Sequence, residues 1–276
     1  MPVFSNSRLS TFEQCKLKYR FRYIDKIIPD IEKTIESHLG NAVHKTLEWL
    51  YNNVQKGFVP TIDETVSNYT KNWDDDFEEE IPVVKKNLSV KDYFNKGVEF
   101  LINYYLKHKP FNDNTIAVEK EIMFDLDKDG NYKIRGFIDR LVYNLETGEY
   151  EVHDYKTSGN LPSQEKFDND RQLALYSIAI KELFGEDKKV ILVWHYLSFN
   201  KRIHSQRTDE QLKRLREETI DIIKKIESTK EFPPTKSALC GWCEFKNVCP
   251  AWGNKPPEKQ MRLDGKYYLG NGKREK

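Results

Sequence analysis

Apolar side chains in the first part of the chain recur every three or four positions, the spacing of helices that bury one face. Ser10-x-x-Glu13 has the form of a capping box and predicts a helix carrying Phe12, Cys15, Leu17, Tyr19, Phe21 and Ile24. Leu39, Val43, Leu47, Leu50 and Tyr51 predict a second helix, and Thr61-x-x-Glu64 opens a third with Val66, Tyr69 and Trp73. The acidic run 74–80 reads as a solvated helix end and loop. A further amphipathic stretch through Tyr93, Val98, Phe100, Leu101 and Tyr105 ends near Pro110.

The period then shortens to two. Residues 116–126 predict a strand, Asp129-Gly130 a hairpin turn, 133–143 a second strand, 146–149 a turn and 150–156 a third strand. Helix returns over 171–184, a buried strand over 190–197, a short partner strand over 202–206 and a long amphipathic helix over 209–229. The expected organisation is one domain over 1–276: a mainly helical region 1–110, a core of sheet and helix 111–207, a C-terminal helix and cysteine segment 208–253, and a Gly/Lys-rich tail 254–276 expected to be mobile. No internal repeat is visible. The fold class is α/β (mixed α+β), a central mixed sheet flanked by helices.

Composition narrows the setting. With 276 residues, 38% of them hydrophobic, the chain can bury a sizeable core. A net charge of only +1 requires any nucleic-acid surface to be local. The N-terminus MPVFSNSRLS lacks the apolar stretch of a signal peptide, and no apolar run approaches a membrane span. The expected home is a reducing cytoplasm with no membrane attachment, where thiolates bind metals more often than they form disulfides. The only four cysteines are Cys15, then Cys240, Cys243 and Cys249 as C-x2-C-x5-C. One distant cysteine and a compact trio suit a single four-thiolate site that ties the two ends together, whether it holds zinc or an iron–sulfur cluster.

The sharpest chemistry lies on the second and third strands. Alternation puts Asp154 and Lys156 on one face and Tyr155 on the other. Pairing through the 146–149 turn brings Asp139 near Asp154. Two adjacent carboxylates repel unless a cation lies between them, and oxygen ligands suit Mg²⁺ or Mn²⁺. Lys156 beside such an ion could place or deprotonate a water. Read without a metal, the same residues are an exposed strand with a salt bridge. Glu151 has the other parity and reads as framework. His44 sits beside the apolar face of the second helix, and Gly40 one turn earlier leaves room next to it. Gln172 and Tyr176 share a helix face. Lys16, Lys18, Arg20 and Arg22 read equally as a solvated surface or a DNA contact, to which Lys201, Arg202 and Arg207 could add.

In order, the chain carries S-x-L-x-x-F-x-x-C at 7–15, G-x-x-x-H at 40–44, G-x-x-D-R at 136–140, D-Y-K-T-S at 154–158, Q-L-A-L-Y at 172–176 and C-x2-C-x5-C at 240–249. This series resembles the RecB-like branch of the PD-(D/E)xK nucleases. The resemblance is strongest to members with an iron–sulfur cluster, the AddB nuclease domain and the CRISPR-associated adaptation exonucleases. It spans nearly the whole chain, although Ile138 stands where the family name has proline. The resemblance implies a restriction-endonuclease-like core and a DNA exonuclease that prefers single-stranded ends. His44, Asp139, Asp154 and the Tyr155 carbonyl would hold Mg²⁺ or Mn²⁺. Asp139, Asp154 and Lys156 would be catalytic, with Gln172 and Tyr176 supporting the site and contacting DNA. The four cysteines would hold a [4Fe-4S] cluster, with structural Zn²⁺ as the alternative. Glu119 or Glu121 could assist, and sequence does not choose between them. A helicase or integrase partner is implied, in repair, recombination or CRISPR adaptation. The competing class is a non-catalytic DNA-binding or scaffold subunit of such a complex, against which the intact set of His44, Asp139, Asp154 and Lys156 argues.

Overall fold

The computed structural model describes residues 2–29, 33–77, 81–83, 85, 87–255, 260–261 and 267–268. Strand β1 (Val3–Phe4) leads into helix α1 (Asn6–Gln14). Its cap is Ser5, whose side chain accepts from the Arg8 N–H. The predicted Ser10–Glu13 box is therefore internal to the helix, and the Ser10 hydroxyl accepts from Arg171 at 3.0 Å. The chain leaves helical geometry at Cys15 (φ −161°, ψ 113°) and resumes as α2 (Lys16–Tyr19), which widens into a π turn (Arg20–Ile24) before β2 (Ile27–Ile28).

Three helices follow as predicted. They are α3 (Ile35–Gln55), α4 (Ile62–Asp75) with the reciprocal Thr61–Glu64 box, and α5 (Val90–His108). The acidic run does end α4, although residues 78–80 lie outside the described residues.

The sheet contains β3 (Thr115–Asp125), β4 (Lys133–Tyr143), β5 (Tyr150–Lys156), β6 (Val190–Tyr196) and β7 (Lys201–Ser205). Helices α6 (Gln164–Asp168) and α7 (Arg171–Phe184) connect β5 to β6, and α8 (Asp209–Ser228) follows β7. The β3–β4, β4–β5 and β6–β7 pairs are antiparallel, whereas β5–β6 and β1–β4 are parallel. The mixed α/β fold expected from the sequence is therefore present. One core packs α1, α7 and α8 against the sheet around Ile134, Ile138, Val152, Leu175 and Trp194. A second packs α3, α4 and α5 against the other side, reaching Tyr155 and Leu197.

A third, small core joins Leu17, Phe21 and Ile27 to Phe245 and Val248, and so fastens the N-terminal segment to the C-terminal one. Lys18 and Arg22 both pair with Glu244 across this junction. Two short strands, β8 (Gln260–Met261) and β9 (Tyr267–Tyr268), extend from β2 through a parallel β2–β9 pairing. Most of the 254–276 tail, with the mobility expected for it, lies outside the described residues. No described helix is long and apolar enough to cross a membrane.

Candidate functional site

The site arises where β4 and β5 part. One edge of β4 pairs with β1 at Lys133 and Ile134, and with β5 from Arg140 to Tyr143. Among the described residues, 135–139 have no strand partner on that edge. Beyond His153, β5 pairs only with β6. The Asp139 carboxylate takes over where the ladder stops, its Oδ2 accepting from the Tyr155 N–H at 2.9 Å.

Helix α3 brings His44 to the same gap. Its Nε2 donates to the Tyr155 carbonyl at 2.8 Å, and its Nδ1 lies 3.4 Å from Asp139 Oδ2. A carbonyl only accepts, so Nε2 carries a hydrogen, and Nδ1 faces the carboxylate. A Cβ on Gly40 would meet Thr157 Oγ1 at an ordinary 3.5 Å, so α3 runs close to the end of β5.

Glu119 completes the group. It falls between Val118 and Lys120, which pair with Arg140 and Ile138, and so lies across from Asp139. Its backbone is left-handed, with φ 44°. Ligand atoms of His44, Glu119 and Asp139 all lie within 4.8 Å of one another. The choice left open by sequence therefore falls on Glu119, because Glu121 pairs with Arg135 at 2.7 Å on the exposed surface. The signal was the hairpin register, since Glu119 and Asp139 stand ten residues either side of Asp129.

Asp154 lies outside that triad but is coupled to it. Burial and the Asp154 charge push the Asp139 carboxyl up, to about 7. Burial also raises Glu119, with Glu48 and Asp154 adding to the rise and His44 opposing it. Lys156 Nζ donates to Asp154 Oδ1 at 2.8 Å and lies 2.7 Å from Oδ2. Oδ2 is buried and receives no directed hydrogen bond, so charge alone pairs it. Burial by itself would lower the Lys156 ammonium, but Asp154 outweighs it and holds it above its ordinary value.

Gln172 and Tyr176 project from α7 as predicted. Gln172 Nε2 reaches Asp154 Oδ1 and the Tyr176 hydroxyl, both at 3.4 Å. The tyrosine ring can approach β4 this closely because position 136 is glycine: a Cβ there would stand 2.4 Å from Tyr176 Cε1. Asp170, the cap of α7, is raised by burial and by Asp154, and sequence reading passed over it.

Behind Tyr155 lies a second polar cluster that sequence missed. Arg140, fully buried, donates to the Tyr155 hydroxyl at 2.9 Å and to Thr115 Oγ1 at 3.1 Å, pairs with Asp113, and stacks over Tyr51. It also reaches His153 Nδ1 at 2.9 Å. His195 Nε2 donates to the same Nδ1 at 2.8 Å, and His153 Nε2 donates to Glu151 at 3.0 Å. Glu151, read as framework, anchors this cluster and also pairs with Arg202.

A chelated cation fits the triad on chemical grounds. An imidazole nitrogen and two carboxylates converge, His44 Nδ1 faces Asp139, and the neighbouring Asp154 Oδ2 is buried without a directed donor.

The cysteines behave differently. All four are free thiols lining one cavity walled by Leu17, Phe21, Phe245 and Trp252. Among the described residues, no three sulfurs approach one another within the 4.8 Å that defines the His44 triad. The basic N-terminal run is mostly engaged within the chain: Lys18 and Arg22 hold Glu244, and Arg20 holds Asp25.

The sequence profile of the PD-(D/E)XK nuclease superfamily matches residues 3–250. No curated protein matches the chain. Among solved structures, a protein from Eubacterium rectale described as a candidate exonuclease is 14% identical, with 95% of this chain and 91% of that one covered and a TM-score of 0.50. A second, the crystal structure of SSO0001, is 18% identical over 89% of this chain and 95% of that one, with a TM-score of 0.35. At such identity the first likeness concerns the fold.

Proposed function

We propose, from the premise that this chain belongs to the PD-(D/E)XK nuclease superfamily, that it is a Mg²⁺- or Mn²⁺-dependent exonuclease acting on single-stranded DNA ends. One observation carries this reading: His44, Glu119 and Asp139 converge beside the buried Asp154 and its half-buried partner Lys156, in the gap where two strands separate. His44, Asp139, Asp154 and the Tyr155 carbonyl would hold the ion, with Glu119 added to the set. When bound, a divalent ion there supplies Lewis-acid polarisation of a phosphate oxygen and a more acidic water. Lys156 stays protonated beside Asp154, so it donates to the attacking water or to developing negative charge rather than acting as a free base. Gln172 orients Asp154 from α7, and Tyr176 fixes Gln172. Both could also touch the DNA backbone.

The same reading assigns Cys15, Cys240, Cys243 and Cys249 to a structural [4Fe-4S] cluster. The soft donor set and apolar wall of their cavity suit it. The cluster would reinforce the junction between the terminal segments. The setting is a reducing cytoplasm, with a helicase or an integrase as partner.

End-labelled single- and double-stranded DNA, incubated with the protein in Mn²⁺, Mg²⁺ or EDTA, tests the activity. The expected result is metal-dependent shortening from ends, faster on single strands. Intact label in every metal would overturn the proposal. Anaerobically purified protein should be brown, absorbing broadly at about 400 nm with about four irons per chain. A colourless protein with one zinc would remove the cluster.

A further inference from the structure

The hairpin that supplies Glu119 and Asp139 has an outer face with no role in the chemistry above. Burial alternates strictly along it: Ile122, Phe124, Ile134, Gly136 and Ile138 face inward, while Glu121, Met123, Arg135 and Phe137 face solvent. Glu121 pairs across the ladder with Phe137, and Met123 with Arg135. The next step along the hairpin is the Glu119/Asp139 position, where the backbone of Glu119 turns left-handed (φ 44°) and the alternation breaks: Ile138 faces the core under α7, whereas Arg140 faces Tyr51 and Tyr155. Phe137 stands two residues from a candidate metal ligand, roughly 7 Å along the strand. Phe137 is 45% exposed and Met123 56%. Arg135 lies over the Phe137 ring at 5.3 Å and is itself held by Glu121 at 2.7 Å.

We infer that Phe137, with Met123 and Arg135, forms a stacking platform for an unpaired nucleobase adjoining the phosphate held at the Asp139 site. The inference rests on the nuclease reading above and adds how the strand is seated. Three observations favour a base over a protein surface. The face carries only two large apolar groups among charged ones, too little for a stable protein interface. It ends within two residues of the acidic pair, so a strand with one phosphate there places a neighbouring nucleotide within reach of the ring. Aromatic rings and guanidinium planes are the groups on which unpaired bases stack without regard to sequence. A base still paired in a duplex presents no free face, so the platform would also favour single-stranded ends.

The test is a binding cycle on the full-length protein, in Ca²⁺ to suppress cleavage. It compares Phe137→Ala and Phe137→Trp with the parent, on a single-stranded oligonucleotide and on one with tetrahydrofuran abasic units at its terminal positions. Phe137→Ala should weaken binding of the normal strand by about 5- to 100-fold. It should leave the abasic strand unaffected, and Phe137→Trp should restore the affinity. An equal effect on both strands, or none on either, overturns the platform and points to backbone contacts or a protein surface. Parallel incubation of the parent in Mn²⁺ separates the two proposals: a parent that cuts nothing removes the nuclease reading, while the binding cycle still decides the stacking.

Discussion

Two polar clusters, one half-buried and one fully buried, lie back to back across Tyr155, and they solve opposite problems. On the side of His44, Asp139 and Asp154 repel each other, and Asp154 keeps an oxygen without a directed donor. On the side of Arg140, every neighbour finds a partner: the guanidinium reaches Tyr155, Thr115, Asp113 and His153, and the two histidines hand their protons on in one direction. Burial, with Arg140's charge next to them, holds His153 and His195 far below their ordinary range, so both are neutral. A buried cluster that satisfies itself builds a platform. One that stays strained until something arrives is where a ligand is expected to bind. Tyr155 joins the two, with its backbone in the first and its hydroxyl in the second.

The largest effect should come from the strained side. Asp154→Asn or Lys156→Ala is expected to cut cleavage by about 10²–10⁴-fold while urea unfolding shifts little, because neither residue holds an element in place. Lys156→Ala activity within a fewfold of the parent, with metal and DNA saturating, would remove the lysine's assignment. Next comes the satisfied side. Arg140→Met leaves Asp113, the Tyr155 hydroxyl and His153 without their shared donor, and should cost about 3–5 kcal/mol in urea unfolding. A loss below about 1 kcal/mol would mean that water enters and the cluster is not closed.

Between these lies Gly136, which belongs to neither cluster but sets the distance from α7 to the sheet. Gly136→Ala drives a methyl into the Tyr176 ring and should cost about 1–3 kcal/mol. It should also lower cleavage, because Gln172 moves with Tyr176. Full activity with lowered stability would show that Gln172 does not need the tyrosine.

How much of this could be read beforehand follows from which contacts are local. The 133–143, 150–156 and 171–184 boundaries match the structure because alternation and turn residues mark them within a few positions. Asp154 and Lys156 sharing a face is strand parity alone. The misplaced first helix shows the limit: Ser10–Glu13 fits a capping box as well as Ser5 fits a cap, and only the short β1 pairing on β4 fixes where the chain turns in. The break at Cys15 was hidden because the apolar spacing of Phe12, Tyr19 and Phe21 runs straight through it. Glu119 and Glu121 have the same parity, so register had to decide. The pairing of His153 with His195 was out of reach for a further reason, since it crosses two parallel strands separated by α6 and α7.

An effect no larger than that of Gly136→Ala should be the most discriminating, because the two clusters tilt stability with pH in opposite directions. Asp139 is raised in the folded state, to about 7 against an ordinary 3.8. Between those values the folded protein binds more protons than the unfolded chain. That contribution is therefore full below about pH 4 and is lost as pH rises towards 7. His153 and His195 are lowered, so theirs is present above their ordinary value of 6.5 and is lost as pH falls below it. In EDTA, Asp139→Asn removes only the first contribution, and its amide oxygen can still accept from the Tyr155 N–H. The variant should be more stable than the parent by about 1–3 kcal/mol at pH 8, with the gain vanishing near pH 4. Mn²⁺ should raise the melting temperature of the parent and not that of the variant. If Asp139→Asn is instead less stable than the parent at pH 8 without metal, the carboxylates are not in conflict. The site would then be a second satisfied cluster, and the contrast across Tyr155 would vanish.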